Sequence, residues 1–334
     1  MKKLLLSMAL VLLGLNAAMA QSSLIATLSH EGNVSLFYGY NAFVDAMAAA
    51  DHGDVITLSS GLFAQSHINK AVTIRGAAAY DDLEKGVLKT ELNGTNNTYI
   101  DIPEETNGHT LNMEYIYLNG TFCNRSKLQS PKFQHMYVST FNLCYSSGNY
   151  TTGTMSDAIF ADFQGNITNT TYASFSIINS ILTVDYRQAS AQCNVFNSIV
   201  LTPSTYTVNY MDYINFKNCI FANCKGSLKS TNTCDHCVAI VEEGNSDFLA
   251  NIVGGTNWTV NSSNEIFTGE AFYVLTPTAA QTYLGTDGTQ VGVWGGPMPW
   301  QYTAENPTIT KCQVAGRSTA DGKLSVEIEV AGVQ

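Results

Sequence analysis

The chain has 334 residues, of which 43 are Lys, Arg, Asp or Glu (16 + 27), 29 are Asn and 26 are Gly. An apolar content of 45% with only 13% charged residues excludes a disordered polar chain, which stays unfolded through low hydrophobicity and high charge. A net charge of −11 leaves no basic footprint for a phosphate backbone, so nucleic acid is set aside as a partner. In chain order, residues 1–20 read as a secretory leader: Lys2 and Lys3, an apolar run from Leu4 to Leu15, and the small-residue site Ala18-Met19-Ala20. The run is too short to span a bilayer, and no other stretch approaches the roughly 18 apolar residues that a spanning helix needs. The expectation is an exported mature chain without a transmembrane segment, bound for the periplasm, the outer surface or the medium.

Residues 21–40 form a strand-like lead-in. Phe43, Ala46, Met47 and Ala50 then recur at helical spacing, with Asn41 as a candidate N-cap and Gly53 beyond the last turn, which predicts one short helix over 41–50. Short β-rich runs follow, broken by Gly, Ser and Asn at close intervals. Internal repetition identifies their arrangement. The phrase Ile178-Asn179-Ser180-Ile181 returns as Phe196-Asn197-Ser198-Ile199 and as Lys217-Asn218-Cys219-Ile220, with Asn-to-Asn steps of 18 and 21. Asn142 and Asn251 fit longer or multiple steps of the same kind. A period near 20 with two or three β runs per turn describes a solenoid whose coils stack on their neighbours. The Asn column of Asn142, Asn179, Asn197, Asn218 and Asn251 is expected at sharp corners, because Asn tolerates the left-handed conformation. Stacked amides would then bond from coil to coil as a ladder.

The run from Ala42 to Gly76 contains the helix, then Gly-Asp-Val-Ile-Thr-Leu at 53–58, Ser-Gly-Leu-Phe at 60–63 and Lys-Ala-Val-Thr-Ile-Arg-Gly at 70–76. It resembles the opening of exported bacterial right-handed parallel β-helix proteins of the pectate-lyase-like superfamily. The Gly285–Gly296 stretch, Gly-Thr-Asp-Gly-Thr-Gln-Val-Gly-Val-Trp-Gly-Gly, resembles the phrase that often closes such solenoids. The resemblance spans about residues 40–300. It implies an all-β right-handed parallel β-helix over 41–300, with a capping helix that shields the first coil's open edge. Trp294 and Trp300 are expected to plug the far end. Beyond Pro307, alternating runs at 308–314 and 324–330 predict a C-terminal strand pair within 301–334. The family's activities range from lyases and hydrolases to adhesins, so fold alone assigns no activity.

Candidate chemistry is sparse. Cys219, Cys224, Cys234 and Cys237 crowd into one segment, consistent with a disulfide in an exported chain, with thiols filling stacked core positions, or with a four-thiolate metal site. Asp157, Asp162, Asp185, Arg187 and Asp212 are the only Asp, Glu, Lys or Arg between residues 133 and 216. They form neither a paired-acid motif nor a calcium motif, so no cofactor is assigned and calcium lacks support. Asp185 and Arg187, two apart on one strand face, and Asp212 are the catalytic candidates. For binding, Tyr206, Asn209, Tyr210 and Tyr213, with Trp258 further on, offer aromatic faces and hydrogen-bonding groups of the kind that hold sugars. The expected function is an exported, non-catalytic binding or scaffold protein whose partner is a polysaccharide or host glycan. The alternative is a polysaccharide lyase or glycoside hydrolase with an atypical site.

Overall fold

The computed structural model describes residues 24–334 except 85, 95–96, 104, 146–152, 169–172, 186–192, 202–211, 224–225, 242–246, 301–307, 315–325 and 332–334. The β runs stack as a parallel β-helix, as the repeats predict. Its first face places Val55–Leu58, Thr73–Arg75, Asn112–Glu114, the start of Lys132–Asn142, the middle of Thr154–Thr168, Ala173–Ile178, Cys193–Phe196, Ile214–Lys217 and Thr233–Asp235 in parallel register. The second face runs from Gly61–Phe63 and Thr90–Leu92 through Tyr117–Asn124, the same two long strands, Ile181–Asp185, Ile199–Leu201, Ile220–Ala222 and Cys237–Ile240 to Asn257–Val260. A shorter third face pairs Thr98–Ile100 with Tyr117–Asn124 and Lys127–Gln129 with Thr154–Thr168.

Strand periodicity sends alternate side chains inward. On the first face the inward column reads Ile56, Ile74, Met113, Phe133, Phe160, Ile177, Val195, Phe216 and Cys234, every one of them buried. Aromatic rings meet along the axis, with Phe133 and Phe160 stacked at 5.0 Å. Each large apolar side chain buried here contributes about 1.5–3 kcal/mol.

From Asn112–Glu114 onward the turn between the first and second faces is made by one left-handed residue per coil. Tyr115, His135, Asp162, Asn179, Asn197, Asn218 and His236 all have φ between 47° and 58°. The repeat therefore located three members, and Asn142 and Asn251 are corrections. Asn142 ends a strand opposite Cys123 and Thr168, and Asn251 sits in a turn where its Nδ2 donates to Leu228 O at 3.0 Å. In those coils the corner falls to His, Asp or Tyr, which a search for Asn passes over.

The residue after each Asn ties the coils together. Ser198 Oγ accepts from Ser180 N at 3.1 Å and donates to Phe196 O at 2.7 Å. Ser180 Oγ repeats this with Phe163 N and Ile178 O. Cys219 and Cys237 occupy the same column and point their thiols at Lys217 O and Asp235 O. A small side-chain donor two residues past a carbonyl is what the site demands, which explains why Ser and Cys interchange there.

The ends are closed by different means. At the start, β1 (Ile25–His30) and β2 (Asn33–Tyr38) form an antiparallel hairpin around Glu31 and Gly32, both at positive φ. β1 pairs antiparallel with Val55–Leu58, so the hairpin, rather than the helix, extends the open edge. The helix α1 (Ala42–Ala49) instead buries Ala42, Phe43, Ala46 and Met47 in the core. At the other end Phe248 is fully buried against Phe221, ring centroids 4.8 Å apart. Trp294 and Trp300 do not plug this end. They lie in a second apolar cluster, where residues 266–300 cover Ile181, Ile199, Ile220 and Val238 on the outside of the second face. The strands Thr308–Val314 and Val326–Ala331 pair antiparallel, as expected of the C-terminal segment.

Candidate functional site

The covering segment is pinned to the corner column. Asn179 Nδ2 donates to Val293 O at 2.9 Å and to Gly295 O at 2.8 Å. Asn218 Oδ1 accepts from Thr286 N at 2.9 Å, and its carbonyl accepts from Gly292 N at 2.8 Å. A Cβ on Gly296 would stand 2.9 Å from the Asn197 amide, and one on Gly285 would stand 2.7 Å from that of Asn218. The Gly-rich phrase is thus a strap whose missing side chains let it lie on the amides. Asn179 and Asn218 bond to the strap and Asn197 lies under Gly296, where a coil-to-coil ladder had been expected. A ladder does run on the outside of the first face, where Asn215 Nδ2 donates to Asn194 Oδ1 at 3.3 Å and Asn215 Oδ1 accepts from Thr233 Oγ1 at 2.9 Å.

Where the cover begins it leaves a cavity of about 280 Å³ against the end of Ile220–Ala222, lined by Asn223, Ser263, Asn264, Phe267, Gly269, Glu270 and Tyr273. Ser262 Oγ accepts from Asn264 N at 3.3 Å and so starts the one-turn helix Ser263–Ile266 that forms one wall. The opposite wall is strained. Phe272 and Tyr273 have φ of 59° and 55°, a conformation that costs roughly 1–2 kcal/mol per non-glycine residue. Phe272 is held by Tyr80 and Trp300, at 5.4 and 5.8 Å between centroids, while its carbonyl accepts from Trp294 Nε1 at 3.0 Å. With Phe272 fixed on that side, the chain turns Tyr273 into the cavity edge-on to Phe267 at 5.1 Å. Burial raises the Tyr273 phenol above its ordinary value, so it stays a hydrogen-bond donor at neutral pH.

One carboxylate, two amides, a hydroxyl and an aromatic pair around a space of this size suit a sugar residue. Amides and carboxylate meet ring hydroxyls, and the rings pack its C–H face. Glu270 is the single acid among the described lining residues, whereas glycoside hydrolysis calls for two carboxyl groups about 5–9.5 Å apart.

A second polar group sits on the corner column. His135 stacks on Tyr115 at 4.6 Å with planes 2° apart, and its Nδ1 lies 3.0 Å from Asp162 Oδ2. The adjoining row of the first face carries the Arg75–Glu114 ion pair. Burial raises the Asp162 pKa, and the imidazole offsets part of that rise.

The expected site residues are scattered. Arg187, Tyr206, Asn209, Tyr210 and Cys224 lie outside the described residues. Asp185 ends its strand opposite Thr168, and its side chain is likewise outside them. Asp212 is buried and both its oxygens are taken, by Lys229 Nζ at 2.5 Å and Thr231 Oγ1 at 2.7 Å. It fastens one coil to the next. Tyr213 is a left-handed, 57% exposed residue entering the first face. Trp258 is on the second face, packed at 5.5 Å from Tyr283 and 5.8 Å from His236, so these two aromatic candidates do not share a site.

Cys219, Cys234 and Cys237 are buried thiols outside any disulfide, the core-filling arrangement among those expected. Burial holds the Cys219 thiol well above its ordinary value, and pushes Cys123 up to about 11 and Cys193 up to about 12, which makes them poor nucleophiles. Among the described residues no group of three or more His, Cys, Asp or Glu is placed to hold a metal ion, and no helix is long and apolar enough to cross a membrane.

The cavity was not legible beforehand, because its walls come from residues 222–223 and 263–273. The one local signal was the aromatic pair Phe272-Tyr273 next to Glu270. Comparison of the chain with protein-family models, with curated proteins and with solved structures gives no match.

Proposed function

We propose that this chain is an exported β-helix protein that binds a polysaccharide or glycan without cleaving it, using the cavity between Asn223 and Tyr273. The observation that carries this reading is a rigidly built concavity with Glu270, Asn223 and Asn264 around the Phe267–Tyr273 pair. The likeness of the opening and closing phrases to pectate-lyase-like solenoids supports the same ligand class, and the leader supports export. A glycan-array and polysaccharide-depletion screen of the mature chain, with product analysis on every positive, tests it. The expected result is binding without new reducing ends or unsaturated products, weakened at least tenfold by Glu270→Gln or Tyr273→Ala. Binding that neither substitution alters would sink the assignment to this cavity.

The alternative reading, a polysaccharide lyase or glycoside hydrolase, is favoured by one observation: the Tyr115–His135–Asp162 group beside Arg75. Such a set could supply a base, an acid and a charge for a uronate. Turnover of a uronic-acid polysaccharide that is lost in His135→Ala would put this reading first.

A further inference from the structure

We propose that β2 is an assembly edge, through which two copies of this chain pair antiparallel about a twofold axis and continue the sheet from one molecule into the other. Among the described strands β2 pairs only with β1. The two-residue turn at Glu31-Gly32 sets His30 opposite Asn33, so Asn33, Ser35 and Phe37 exchange bonds with β1. The N–H and C=O groups of Val34, Leu36 and Tyr38 therefore face away from the fold. Their side chains are 64%, 53% and 62% exposed, while Phe37 on the opposite side packs against the core. A row of unpaired peptide groups specifies its occupant as another extended strand.

Three features make that strand a second copy. Protein edges that stay single are blunted by Lys, Pro or a bulge, and the stretch from Asn33 to Asn41 has none of these and no charged residue. With Leu36 on the axis, Val34 of one copy stands opposite Tyr38 of the other, so the apolar side chains meet as a β-branched–aromatic pair on one face. The charge pattern agrees as well. The molecule carries −11, yet in this register the nearest acid, Glu31, falls opposite Asn41, so the contact opposes no like charges.

Sedimentation velocity of the mature chain from about 1 to 200 μM tests the proposal, since a six-residue edge buries less than the ~1,600 Å² of a standard interface and gives a concentration-dependent dimer. Leu36→Lys places a charge on the axis. Leu36→Pro removes an N–H that points to the free edge, and so deletes no bond of the fold. Both are expected to weaken self-association at least tenfold with the melting temperature held, and Val253→Lys, at a 97% exposed residue elsewhere, is expected to leave it unchanged. If Leu36→Pro lowers the melting temperature, Leu36→Lys alone carries the comparison. A monomer at every concentration overturns the proposal, as does a dimer that persists in Leu36→Lys.

Discussion

Left-handed corner residues carry more of this molecule than their size suggests. At φ near 50° a side chain normally crowds its own carbonyl, and Asn relieves this best after Gly. Asn179 and Asn218 then add bonds to the strap. Asn179→Ala keeps the strain, leaves the Gly295 carbonyl without its amide partner and leaves Val293 O with only Trp300 N, so a loss of about 1–3 kcal/mol in chemical denaturation is expected. Asp162 is the exception in the column, a carboxylate that is 3% exposed, with Oδ1 lacking a partner among the described residues. Because burial raises its folded pKa above the ordinary value, its contribution is complete below the unfolded pKa and drains away as pH rises through the folded one. Asp162→Asn restores the repeat's own residue and removes the buried charge. Its melting temperature is expected to exceed the parent's at pH 7, by about 1 kcal/mol in stability, with the gap narrowing toward pH 4. A gap that widens on acidification would contradict this account.

Single elements close the solenoid. Strands in the middle of the stack find partners above and below, but the two end coils offer bare cross-sections that only non-repeating sequence can cover. Phe248 does this at the far end, fully buried against Phe221 in a turn tied to the last coil by the 2.8 Å bond from Leu228 N to its carbonyl. Phe248→Ala is expected to cost about 3–5 kcal/mol, and hydrogen exchange is expected to rise first in Ile214–Lys217 and Thr233–Asp235, because stability in a stack passes between neighbours. Uniform loss of protection along the whole coil would instead show that the solenoid unfolds as one unit. The strap is the second such element. The resemblance of its Gly285–Gly296 phrase implies an end-closing role, whereas here Gly285 and Gly296 are small so that backbone can rest on Asn218 and Asn197.

Across the whole molecule, a stack of short coils gives a long, stiff surface with the cavity on its side and the hairpin at its tip. A glycan polymer held at one cavity and a dimer joined through β2 would together make a bivalent binder. The oligomer and binding experiments are independent, so each reading can fail without the other. The sequence by itself determined the coil, since a period near 20, alternating apolar residues and a recurrent Asn-Ser phrase are all local or nearest-neighbour signals. It also placed the N-terminal helix and the C-terminal strand pair. Only the tertiary structure decided what lies against the coil. Asn179 meets Val293 across 114 residues of chain, and the cavity joins Asn223 to Tyr273. No repeat encodes such contacts: they form once, between a regular surface and an irregular segment, and depend on where the chain returns rather than on what each residue prefers.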